Sequence, residues 1–148
     1  MNIASAAALT TALVAIVVAI ITLGQWVTNR ARLRHELFDR RYAVYEKITE
    51  FIADILVSGK VPAGEPDGFS RRTKTAYFVF ACDKDVKVLV KQIREKAVEL
   101  HALEATLESL KGDERTQNVA KQMVVKNWLE QTLDSMESKF EKYFKLTH

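Results

Sequence analysis

"HELFDRRYAVYEKITEF", residues 35–51, decides how the chain is read. At about 100° per residue, Leu37, Phe38, Val44, Tyr45, Ile48, Phe51, Ile52, Ile55 and Leu56 share one broad sector. Arg32, Glu36, Asp39, Glu46, Lys47, Glu50 and Asp54 fall opposite. No Pro or Gly stands between Val27 and Val57, so one helix is expected to run to about Ser58. Arg41 interrupts the apolar sector, among Leu37, Val44, Tyr45 and Ile48. An unpaired buried charge is very costly, so its guanidinium must be satisfied. Three arrangements meet that demand: the head snorkels out while its stem covers core, a carboxylate from a later helix holds it with Tyr45 stacked beside it, or it faces a partner chain or lipid headgroup. The neighbouring Arg40 points to the polar side, where Glu36 is placed to pair with it.

Towards the N-terminus the composition changes abruptly. Residues 1–29 carry no charged side chain, whereas all 22 Lys+Arg and all 19 Asp+Glu lie from Arg30 onward. "ALTTALVAIVVAIITLGQWV", residues 8–27, is long enough to cross a bilayer as a helix, since twenty residues rise about 30 Å. A secretory leader would have a basic start, a shorter apolar core and a small-residue cleavage site, none of which the stretch shows. A retained transmembrane anchor over 1–29, with its span at about 8–27, is therefore expected, followed by a domain over 30–148. The basic residues Arg30, Arg32, Arg34, Arg40 and Arg41 lie on one side only, which places the N-terminus outside and the larger part in the cytoplasm. Trp26, with Arg30, Arg32 and Arg34, would sit at the headgroup level. Within the span Ala8, Ala12, Ala15, Ala19 and Thr22 recur at steps of four and three, lining one stripe on which a second helix could pack closely.

Towards the C-terminus "SGKVPAGEPDG", residues 58–68, holds three of the five glycines and both prolines, and reads as a loop. Helix is expected to resume near Phe69, with Phe69, Thr73, Ala76, Tyr77 and Phe80 along one side, and Asp83 or Asp85 then caps a long helix. In it Val86, Ile93, Leu100 and Leu107 repeat every seven, with Leu89, Leu103 and Leu110 at the d positions, Lys96 at the remaining d position and Ala97 beside it. "KGDE" ends this helix near Leu110: Gly112 suits a left-handed stop, and Asp113 caps the next helix. So short a connection forces an antiparallel hairpin. The last helix shows Val125, Leu129, Leu133, Met136, Phe140 and Phe144 in one stripe, ending near Leu146. No segment alternates with period two. The expected fold is all-α: an N-terminal transmembrane helix continuing into a cytoplasmic antiparallel bundle of about four helices with coiled-coil-like spacing.

The segment Leu37, Phe38, Asp39, Arg40, Arg41, Tyr42, Val44, Tyr45 and Glu46, directly after a basic juxtamembrane stretch, resembles a recurring Leu-Phe-Asp-(Arg/Lys)-Arg-(Tyr/Phe)-x-Val-Tyr-Glu mark. That mark belongs to a family of small, uncharacterised bacterial single-pass inner-membrane proteins. "YFVFACDKDV", residues 77–86, is similar to that family's aromatic helix leading into an acidic cap, and departs from it at Ala81 and Cys82. The resemblance implies a bacterial inner membrane, hence a periplasmic N-terminus. It supplies no activity, cofactor or catalytic residue.

Chemistry is sparse in the sequence. His35, His101 and His148 are far apart, and His101 with Glu104 offers at most two metal ligands. Cys82, the single cysteine, cannot form an internal disulfide, fits a reducing compartment and reads as a small buried apolar residue. There is no phosphate-binding glycine loop, no nucleophile beside a base and no nucleic-acid module. The expectation is a non-enzymatic, membrane-anchored interaction or scaffold protein that self-associates and needs no cofactor, metal, nucleic acid or small-molecule substrate. Its alternatives are an accessory subunit of a larger membrane transporter or enzyme, and a peripheral sensor of anionic lipid. Arg71, Arg72 and Lys74 are the candidate lipid contacts for the last of these.

Overall fold

The structure is a computed structural model that describes residues 3–62, 64, 65 and 67–145, with side chains from Thr11 onward. Its helices are α1 (Ile3–Ser58), α2 (Asp67–Arg72), α3 (Ala76–Val79), α4 (Lys84–Leu107) and α5 (Gly112–Phe144), and no strand occurs among the described residues. The chain divides into two compact units, Met1–Leu37 and Phe38–His148. A long apolar N-terminal helix is followed by a helical bundle.

In the first unit an apolar 18-residue window of α1 has a mean hydropathy of 2.0, and none of it is buried. It is one helix long and apolar enough to cross a membrane. Glu36 pairs here with Arg32 at 3.1 Å, rather than with Arg40 as the spacing suggested. Both are exposed, and an exposed pair of this kind contributes little.

In the second unit the apolar sector of α1 becomes the core wall: Val44, Ile48, Phe51, Ile52 and Ile55 are buried, with Tyr45 and Leu56 packed at its edge. Gly59 ends α1: its N–H still donates to the Ile55 carbonyl at 2.8 Å, and its left-handed φ of +71° then turns the chain out of the helix. The Val61 N–H then binds the Glu104 carboxylate, anchoring the loop to the far end of α4. Residues 59–83 return the chain to the opposite end, where Arg41 meets Val79. Consequently α1 and α4 run in the same direction, and α5 runs against both, bringing Tyr45 to Phe140 and Phe38 to Phe144.

The return segment is not the single helix expected from Phe69 to Phe80. It breaks at Thr73–Thr75, where the buried Thr73 turns its hydroxyl back to the Phe69 carbonyl at 2.8 Å and competes with the backbone ladder. Phe69 is fully buried and stacks on Phe51 with 4.3 Å between ring centres; Phe80 is fully buried against Phe140 and Tyr143. Ala81 and Cys82 follow with φ of +54° and +59°. The left-handed region costs a residue with a Cβ about 1–2 kcal/mol. Cys82 is exposed there, not the buried apolar residue its type suggested, because the turn throws its side chain outward.

Asp83 caps α4 by accepting the Asp85 N–H at 2.7 Å, and Val86, Leu89, Ile93, Ala97 and Leu100 are buried along it. Lys96 is half-buried at the heptad position it takes, its ammonium reaching Glu99 at 2.7 Å. The helix stops at Leu107, three residues before the expected end. Gly112 is left-handed (φ +57°), but it opens α5; Asp113 therefore lies with Glu114 in the first turn, where both complement the helix dipole, and Lys111 holds the cap position. Along α5, Val125, Leu129, Met136 and Phe140 are buried, as are the polar Asn118, Gln122 and Thr132. Asn118 donates to the Leu103 carbonyl and the Thr106 hydroxyl and accepts from Gln122, which ties the hairpin without leaving a buried polar side-chain atom unpaired among the described residues. Leu146 lies outside the described residues; α5 ends at Phe144.

Candidate functional site: a capped helix junction and a basic cleft

Arg41 reaches two backbone carbonyls rather than a carboxylate. Its Nε donates to Val79 O at 3.2 Å and a terminal nitrogen donates to Tyr143 O at 3.0 Å. Both carbonyls sit at helix C-termini, where the last turn has no intrahelical donors left. Asp83 N goes to Phe80 O, so Val79 O has no helical partner, and Tyr143 O lies one residue from the end of α5. One guanidinium thus caps α3 and α5 together, and its charge also answers the negative end of the α5 dipole. It lies 6.0 Å from the centre of the Tyr143 ring, so the stacking partner is Tyr143 and not Tyr45.

Around it stands an aromatic cluster. Phe140 contacts Tyr45, Phe80, Tyr143 and Phe144, while Phe144 reaches Phe38 and Tyr42, largely edge to face. Asp83 closes the junction from the α4 side, accepting from the Tyr143 hydroxyl and from Lys142 Nζ at 2.9 Å. The hydrogen bond from Tyr143, then that from Lys142, hold the Asp83 carboxyl well below the usual carboxylate range. The bond to Asp83 correspondingly raises Lys142 above the ordinary lysine range. Burial, followed by the bond to anionic Asp83, raises the Tyr143 phenol, which therefore stays a donor. Beside this knot an open groove of 450 Å³ lies between the start of α4 and the end of α5, its apolar floor of Val86, Leu89 and Phe140 flanked by Asp85, Lys139 and Lys142.

The residues singled out as lipid contacts separate in the fold. Arg72 is held by Glu65, a largely covered carboxylate that also accepts the Phe69 N–H and so fixes the start of α2. Arg71 is exposed in the last turn of α2. Lys74 instead joins Lys87, Lys91 and Arg94 around a cleft of 260 Å³ between α3 and α4, with Tyr77 and Val90 in its wall. The sequence signal for the three cations of α4 is their spacing of four and three, which places them on one helix face. Tyr77 supports the cleft: Lys87 Nζ lies 5.1 Å from its ring centre, and a hydrogen bond with Cys82 raises its phenol above the usual value.

In the first unit Trp26 is exposed with the Arg30 guanidinium 5.4 Å over its ring, and Arg34 and Arg32 are exposed on later turns. Ala12, Ala15, Ala19 and Thr22 are all exposed; Ala8 is helical, with its side chain outside the described residues. Thr22 returns its hydroxyl to the Val18 carbonyl at 2.8 Å, so the stripe presents no free polar group at that position. Among the described residues no group of three or more His, Cys, Asp or Glu could hold a metal ion. Glu104 is committed to the loop, and His101 is exposed. No family model, no curated protein and no solved structure matches the chain.

Proposed function

We propose that the chain is a non-enzymatic scaffold anchored once in a bacterial inner membrane, with its N-terminus periplasmic and the bundle cytoplasmic, and that it self-associates through the Ala12–Thr22 stripe. The carrying observation is the wholly exposed apolar window of α1. Leu13, Ile16, Ile20 and Leu23 are each more than 60% exposed, and soluble surfaces do not present a continuous apolar face of that extent. Lipid supplies the missing cover, and the small-residue stripe offers a face on which a second span can pack without long side chains between the backbones. The motif at Leu37–Glu46 and the one-sided run of arginines support the bacterial setting and the orientation.

Native mass spectrometry of the full-length protein, extracted gently from its own membrane, tests this. Masses at whole multiples of 16.8 kDa are expected. A stoichiometric companion of another mass would instead make the chain an accessory subunit, and a monomer without any companion would sink the scaffold reading.

A further inference from the structure

The cleft between α3 and α4 differs from its neighbours in charge. Of its nine lining residues four are cationic and none is a carboxylate, whereas the α4–α5 groove carries Asp85 beside Lys139 and Lys142. Cations at Lys87, Lys91 and Arg94 repel one another along a single helix face, and Lys74 faces them from the turn before α3. Their internal neutralisation is slight. Arg94 touches Asp67 through one terminal nitrogen at 3.5 Å, and Lys91 touches Glu95 at 3.5 Å, with both carboxylates more than half exposed and outside the cleft. Thr73 lies in the wall with its hydroxyl already given to Phe69, and the charged groups that line the space are all ammonium and guanidinium groups.

We propose that this cleft binds a phosphate-bearing anion, with Arg94 engaging two phosphate oxygens and Lys74, Lys87 and Lys91 supplying the surrounding positive charge. Tyr77 and Val90 form an apolar wall suited to the organic part of a phosphate ester. The chemistry fits either a soluble phosphate or a phospholipid headgroup. The site is independent of the scaffold reading: binding in a micelle depends on neither orientation nor self-association.

The test uses full-length protein in an uncharged detergent. Equilibrium dialysis with radiolabelled inorganic phosphate measures the soluble source, and native mass spectrometry after equilibration with phosphatidylglycerol measures the lipid source. Binding of either is expected, and the arm that responds identifies which source the cleft takes. Lys87→Gln with Lys91→Gln should weaken it by roughly 25-fold, about fivefold for each lysine. Lys47→Gln with Lys121→Gln, the same charge change away from the cleft, should leave it unchanged. Lys87→Arg with Lys91→Arg should retain it. The proposal is overturned if the wild-type chain binds neither probe, if the distant pair costs as much as the cleft pair, or if the arginine pair abolishes binding at an unaltered melting temperature.

Discussion

At the scale of single residues, Arg41 shows how a charge can occupy an apolar helix face without an acid. Carbonyls at helix ends already carry partial negative charge, so a guanidinium satisfies them with a smaller desolvation penalty than an ion pair would need. Arg41→Ala removes the donor that the two carbonyls share and should destabilise the bundle by about 2 kcal/mol, measured by chemical denaturation. Arg41→Lys should recover part of that, because a single ammonium lacks the fork that spans both acceptors. No loss in either variant would remove the capping role. Asp83 makes a pH-dependent contribution. Its carboxyl lies lower in the folded chain than the ordinary value of 3.8, so its stabilisation is complete above that value and is lost as pH falls below it. Acid unfolding should therefore be shallower in Asp83→Asn, which keeps the cap geometry and removes the charge; an unchanged acid limb would refute this. Ala81→Gly, at φ +54°, should raise the melting temperature slightly, since relief of left-handed strain exceeds the added freedom of the unfolded chain.

At the scale of elements, legibility followed the kind of side chain. The apolar stripes of α1, α4 and α5 were visible because burial and hydrophobicity coincide there. The extension of the α5 stripe through Asn118, Gln122 and Thr132 was not, since polar residues do not mark a buried face by type; only their continued spacing of four and three with Val125, Leu129 and Met136 carries the signal. The break between α2 and α3 is hidden for a related reason, since Phe69 and Phe80 share a helix face at about 100° per residue, while the Thr73 hydroxyl bonds back to the Phe69 carbonyl where the helix stops. The basic cleft is not legible in the sequence because Lys74 and the α4 cations meet only through the fold. In α1 the packing stripe makes its own prediction: Ala15→Leu with Ala19→Leu should abolish any oligomer seen in mild detergent while leaving the circular-dichroism spectrum intact. Unchanged mass would assign association elsewhere.

At the scale of the whole molecule, the proposed orientation can be read from one atom. Cys82 is the only cysteine and is exposed, so a membrane-impermeant maleimide should label it in inverted vesicles and not in right-side-out ones. Labelling only in right-side-out vesicles would reverse the topology. The junction around Arg41 also sets an order of events during synthesis. Its acceptors lie 38 and 102 residues further along the chain, and Phe140 and Phe144 cover the aromatic side chains of α1 only after the last helix is made. At about 5–20 residues per second, the apolar wall from Val44 to Ile55 waits roughly 5–20 s after leaving the ribosome for the partners that will cover it. If α1 anchors the chain as proposed, its apolar stretch has emerged by then, and the nascent chain would spend that interval tethered beside a bilayer with a second apolar helix face uncovered. A chain halted before α5 should accordingly be held by chaperones or adhere to the membrane, and release of the finished chain into a protease-resistant form should coincide with the emergence of Tyr143.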